Sequence, residues 1–213
     1  MPLVCGRQGQ LTRRLGQIPL NEFLSLVSAR RGHFQLESGY HGGLWLDLDA
    51  LFADPRRISP FVSDLADAIG PYDVSSIYGP LLGGAFLAQL IAHELGVEFC
   101  FTERAVPSDS DGLYSARYLL PSAFHSRVRG QRVAMVDDVM SAGSSLRGTF
   151  EELKDKGAVP VVAGALLVLG SRGADFFAEN EIAVEAVALD EYQLWPPESC
   201  PLCESGVPLE SLK

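Results

Sequence analysis

The chain has 213 residues, 47% of them apolar, and a formal net charge of −10, which is enough material for one well-filled α/β core. That charge argues against nucleic acid or an anionic membrane as the main partner, because such surfaces are held by clustered Lys and Arg, so an anionic ligand has to be bound by local groups. No apolar run nears the roughly 20 residues of a membrane span, and Met1 to Pro19 lacks the apolar core of a signal peptide, which makes a cytoplasmic location the expectation.

The segment before Leu51 shows no regular alternation of elements. From Val74 to Tyr78 a β-rich run ends in Gly79-Pro80, and Gly84 to Leu95 follows with Phe86, Leu87, Leu90, Ile91 and Leu95 at helical spacing. Val97 to Thr102 and Arg132 to Asp138 are further strands. Leu146 to Lys156 is a helix stopped by Gly157, where positive φ is commonly needed. Val159 to Leu169 and Ile182 to Leu189 are two more apolar strands. Continuous hydrophobicity predicts strands buried on both faces, as in a mainly parallel central sheet flanked by helices. The tail after Asp190 carries Trp195-Pro196-Pro197, Pro201 and Pro208, which excludes a long regular element. The expectation is one domain over residues 1–213, with a core at about 51–190 and a small cap from 1–50 and 191–213.

The stretch "VAMVDDVMSAGSS", Val133 to Ser145, ends a buried strand in two acids and continues through a glycine loop into a helix. That order puts the loop at the carboxyl edge of the sheet, where open α/β folds bind ligands. Backbone N–H groups of Ser141, Ala142, Gly143, Ser144 and Ser145 at a helix N-terminus suit a phosphate. Asp137 and Asp138 would repel a bare polyphosphate but accept hydrogen bonds from paired hydroxyls, so the combination suggests a sugar phosphate. The plainer alternative is that the acids cap a loop and the serines are helix N-caps. A Walker A loop is excluded, since the first lysine is Lys154, and Gly79 to Gly84 has the wrong spacing for a dinucleotide fingerprint.

These residues resemble the phosphoribosyl-diphosphate (PRPP) signature of the type I phosphoribosyltransferases, in which four apolar residues and two acids precede a small Thr/Ser-Gly loop. "FQLESG", Phe34 to Gly39, "YGPLLGGAFLA", Tyr78 to Ala88, and the closing "WPPESCPLCESGVPLE" are similar to the orotate phosphoribosyltransferase group, the last to a bacterial and archaeal branch of it. The resemblance implies the type I phosphoribosyltransferase fold and Mg²⁺-dependent transfer of 5-phosphoribosyl from PRPP to orotate, giving orotidine monophosphate and pyrophosphate for pyrimidine nucleotide synthesis. It also implies a homodimer, in which one chain's mobile loop closes over its partner's site. Carried over by position, Asp137 and Asp138 hold the ribose hydroxyls, and Ser141, Ala142, Gly143, Ser144 and Ser145 hold the 5′-phosphate. Gly83 and Gly84 line the PRPP site, Arg104 and Arg117 face the pyrophosphate, and Phe34, Ser38, Gly39 and Arg147 bind the base.

The chain also departs from the family pattern. Gly83 stands where many members have a lysine, and the catalytic-loop equivalent, Ala105 to Ser126, is acidic at Ser108 to Asp111. Arg117-Tyr118 replaces an Arg-Arg pair, and Glu37 occupies a position near the pyrimidine where some members have lysine. Two other functions therefore stay open: phosphoribosyl transfer to another base, and a PRPP-binding regulatory protein without turnover. Cys200 and Cys203 stabilise the tail without metal on the first reading; the second is half of a tetrahedral zinc site, for which the only other cysteines are Cys5 and Cys100 and two chains of a dimer could each supply a pair. The four histidines, His33, His41, His93 and His125, show no metal-ligand spacing in the linear sequence and are expected to be structural or exposed.

Overall fold

The computed structural model describes residues 11–13, 19–36, 39–48, 50–105 and 117–211. In chain order the strands and helices are β1 (Leu11–Arg13), α1 (Leu20–Leu26), β2 (Arg30–Gln35), β3 (His41–Trp45) and α2 (Pro55–Ile69). There follow β4 (Ser76–Pro80), α3 (Gly83–Leu95), β5 (Glu98–Ala105), β6 (Arg117–Leu119), α4 (His125–Val128) and β7 (Arg132–Met140). The chain continues through α5 (Ser144–Asp155), β8 (Val159–Leu169), α6 (Arg172–Glu179), β9 (Ala183–Asp190), β10 (Leu194–Trp195), α7 (Pro201–Glu204) and β11 (Glu210–Ser211).

Seven strands form the main sheet in the order β1-β9-β8-β7-β4-β5-β6, parallel throughout except for the antiparallel edge strand β6. Its central strands read as unbroken apolar runs because both faces are covered. Along β7, Ala134 and Val136 pack with Phe61, Leu65 and Ile69 of α2 and Ile91 of α3. Their neighbours Val133 and Met135 point the other way, into a second layer with Leu146, Phe150 and Leu153 of α5 and Phe177 of α6. This is the helix-sheet-helix sandwich the sequence predicts, with each expected strand found within two residues or so of its predicted start. Gly157 takes φ +84° after α5, as its place at the helix end requires.

A second, four-stranded sheet has the order β10-β3-β2-β11. The β2-β3 hairpin supplies its middle, β10 adds antiparallel to β3 through Trp195 opposite His41, and β11 adds parallel to β2 through Glu210 opposite Phe34. Proline-rich as it is, the segment after Asp190 contributes two-residue strands and a four-residue helix. Among the described residues no helix is long and apolar enough to cross a membrane.

Candidate active site

The chain builds β4 and β5 on one side of the main sheet and then crosses back to β7, β8 and β9 on the other. The order therefore reverses between β4 and β7, and a crevice opens beyond the carboxyl ends of the two strands at such a point. The residues delivered there are the Gly79–Gly84 turn after β4 and the acid pair of β7.

The two loops meet closely enough to require glycine. A Cβ on Gly83 would lie 2.1 Å from Oδ2 of Asp138, and one on Gly84 would lie 2.8 Å from both Oδ1 of Asp137 and the Val136 carbonyl oxygen. Any side chain at either position would displace the carboxylates. Four expected residues, Gly83, Gly84, Asp137 and Asp138, are thus brought together.

Asp137 and Asp138 are 7% and 9% exposed. Burial, reinforced by the Asp138 charge, pushes the Asp137 carboxyl well above the usual carboxylate range, with the Ser145 hydroxyl working against the shift. Burial likewise raises Asp138, opposed by the Val139 amide. The Ser145 hydroxyl donates to Oδ2 of Asp137 at 2.5 Å, and the Val139 N–H donates to Oδ1 of Asp138 at 2.8 Å. These are two buried acids with little to neutralise them, a condition that concentrates at functional sites.

Between the acids and α5 the chain turns through Ser141, Ala142 and Gly143. Gly143 is the N-cap at φ +75°, and no side chain caps the helix. The first-turn amides of Ser144 and Ser145 carry the positive end of the helix dipole. Beside them the Ser141 hydroxyl is buried with no hydrogen-bond partner among the described residues, an arrangement that costs free energy unless a ligand completes it.

Ser141 also lines a pocket of about 280 Å³, together with Leu169, Arg172, Tyr192 and Trp195. Arg172 comes from the β8-α6 junction, and its guanidinium lies 6.0 Å from the Tyr40 ring of the hairpin. Tyr192 packs so tightly on the hairpin that a Cβ on Gly42 would meet its hydroxyl at 1.9 Å. Arg172 and Tyr192 line this pocket, and the sequence reading did not single them out. The "GSRG" of residues 170–173, a cation among small residues at a strand end, was the available signal.

The residues expected at the base lie on α5 and on the hairpin. Arg147 on α5 donates to the Arg172 carbonyl at 2.6 Å and sits 4.3 Å from the Phe176 ring centre, so Arg172, not Arg147, lines the pocket. Phe34 is fully buried, with the Arg30 guanidinium 5.5 Å from its ring. Gly39, at φ +79°, forms the hairpin turn by donating its N–H to the Leu36 carbonyl. Ser38 and Glu37 lie outside the described residues. Arg104 and Arg117 are exposed on the antiparallel arms of β5 and β6, and residues 106–116 between those arms are outside the described set, as is Cys5.

The expectation for the cysteine pair needs correction. Cys200 and Cys203 do not meet Cys100, which is buried in β5, but meet His33 and His41, all four ligand atoms lying within 4.8 Å of one another. Both histidines are buried, at 1% and 4% exposure. Linear spacing hid them because the hairpin, not the sequence, makes them neighbours: with Gln35 opposite His41, His33 and His41 are diagonal partners on one face.

Residues 60–196 match the model of the phosphoribosyl transferase domain family. The chain is 30% identical over 195 residues to the orotate phosphoribosyltransferase of Thermotoga maritima, a match covering 90% of this chain and 95% of that one. Among solved structures it is similar to the orotate phosphoribosyltransferase from Aeropyrum pernix, with a TM-score of 0.63, 23% identity, and coverage of 80% of this chain and 93% of that one. It is also similar to the adenine phosphoribosyltransferase from Thermoanaerobacter pseudethanolicus, with a TM-score of 0.63, 16% identity, and coverage of 81% and 100%. The two structural likenesses are likenesses of fold.

Proposed function

The chain belongs to the orotate phosphoribosyltransferases within the phosphoribosyl transferase domain family, and on that footing we propose that its crevice transfers 5-phosphoribosyl from PRPP to orotate, releasing pyrophosphate. The observation that carries this reading is the buried acid pair facing Gly83-Gly84 on one side and the uncapped start of α5 on the other. In it, the ribose hydroxyls donate to Asp137 and Asp138, and the 5′-phosphate accepts from amides of Ser141 to Ser145. The Ser141 hydroxyl, now without a partner, completes that cradle. In this reading Gly83 and Gly84 adjoin the pyrophosphate.

Orotate would enter the pocket between Ser141, Arg172, Tyr192 and Trp195. The Arg172 guanidinium is the cation there for its carboxylate, a pairing that geometry makes bidentate. Arg147 acts behind it by holding the Arg172 carbonyl, while Phe34 and Gly39 shape the hairpin. Arg104 and Arg117 are the cations proposed for the departing pyrophosphate.

No protein nucleophile is required. The ribose carbon becomes oxocarbenium-like as its bond to pyrophosphate breaks and its bond to the base nitrogen forms, so the protein's work is alignment and charge stabilisation. Mg²⁺ prefers hard oxygen donors and retains several waters. The carboxylates of Asp137 and Asp138 fit such a partner in kind, and when bound with PRPP it would supply charge neutralisation at the diphosphate. A cytoplasmic homodimer completes the proposal: Cys100, Cys200 and Cys203 form no disulfide among the described residues, and Leu82 and Phe86, 67% and 48% exposed beside the site, offer an apolar face to a second copy.

The test is loss of orotate absorbance with PRPP and Mg²⁺, run beside uracil, hypoxanthine, xanthine and adenine. Orotate consumption that needs both co-substrates is expected. Turnover of another base instead, or calorimetric PRPP binding with no turnover, would replace orotate transfer by one of the two other functions.

A further inference from the structure

The cluster of His33, His41, Cys200 and Cys203 takes no part in the chemistry above, and its geometry is that of an ordered ligand set. A tetrahedral zinc ion with bonds of about 2.3 Å to sulfur and about 2.0–2.1 Å to nitrogen sets nitrogen–nitrogen edges near 3.3 Å and sulfur–nitrogen edges near 3.6 Å. Nε2 of His33 lies 3.2 Å from Nδ1 of His41, and Sγ of Cys200 lies 3.4 Å from Nε2 of His33. Sγ of Cys203 lies 3.7 Å from Nε2 of His33 and 3.3 Å from Nδ1 of His41.

The tautomer is suited as well. The other ring nitrogen of His33, Nδ1, lies 2.8 Å from the Val207 carbonyl oxygen. A carbonyl only accepts, so Nδ1 carries the proton and Nε2 presents its lone pair to the cluster, as an outer hydrogen bond does for metal-bound histidine. Two imidazoles and a thiol packed together at 1–4% exposure, with no carboxylate among them, would otherwise lie desolvated against one another.

We infer that these four side chains form a structural Cys₂His₂ zinc site that pins the 200–203 turn to the β2-β3 hairpin. All four positions are filled by protein, which leaves no open coordination for catalysis. The chain approaches along β10, beside β3, and leaves along β11, beside β2, so α7 crosses the hairpin face and the ion closes that crossing. The inference does not depend on which base the crevice accepts.

Metal content of the full chain, purified under reducing conditions, tests it. About one zinc per chain is expected. After chelation, added Co²⁺ should give the intense visible bands of a tetrahedral site together with thiolate-to-cobalt charge transfer. Cys203→Ser, at a surface position, and His41→Ala should lose both signals, and the chelated wild type should melt at least about 5 °C lower. Zinc and cobalt uptake no greater than in Cys203→Ser, a weak six-coordinate cobalt spectrum, stoichiometric iron in place of zinc, or a Cys200–Cys203 disulfide under these conditions would each overturn it.

Discussion

At Asp137 function and stability pull in opposite directions. Folding raises its pKa, chiefly by burial and then by the Asp138 charge, so the folded state favours the neutral acid. The stability this gives is complete below the unfolded carboxylate value of about 3.9 and is lost as pH rises through the raised folded value. Asp137→Asn removes that loss. The variant should melt above wild type at neutral and alkaline pH, by about 2–4 °C for each kcal/mol recovered, with the gain vanishing near pH 4 and below. Calorimetry should show PRPP binding gone at the same time. Arg172→Ala should raise KM for orotate by about tenfold or more, the scale of a lost charge-assisted hydrogen bond, and leave KM for PRPP nearly unchanged. The acids were legible because a linear stretch carries them. Arg172 was not, because only the return of the chain through β8 sets it beside Ser141, and His33 and His41 were hidden by the same kind of non-local neighbourhood.

Among the elements, α5 binds through what its N-terminus lacks. With Gly143 as N-cap and the Ser141 hydroxyl unpartnered among the described residues, Ser141→Ala removes a desolvated group that none of them satisfies. The melting temperature should hold or rise slightly, while KM for PRPP increases about tenfold, the scale of one hydrogen bond to a charged group. A fall in melting temperature with unchanged KM would make the serine a packing residue. The main strands and α3 and α5 could be read from periodicity, since both faces of the sheet demand continuous apolar runs. α2 escaped that reading. Its Ile58, Phe61, Val62, Leu65 and Ile69 keep helical spacing, but Pro55 and Pro60 look like breaks. Pro55 is tolerated in the first turn, behind the Asp54 cap that accepts from the Arg56 N–H, and Pro60 is carried by the packing of that apolar face.

Over the whole molecule, exposed Leu82 and Phe86 mark the face proposed for a second copy. Light scattering should give twice the chain mass for wild type and a shift toward the single-chain mass for Phe86→Glu. A wild-type monomer that turns over orotate normally would remove the dimer from the proposal. The second sheet was the hardest part to foresee, because two-residue strands give no period to detect and β10 and β11 exist only through their pairing with the hairpin. That pairing has a consequence for biogenesis. His33 and its partner Val207 are 174 positions apart, and a ribosome adding about 5–20 residues per second needs roughly ten seconds or more to cover that distance. Throughout that interval the nascent hairpin waits with both edges unpaired, the state in which strands recruit wrong neighbours. The length of that interval sets how long the hairpin edges stay open to mispairing before β10 and β11 arrive.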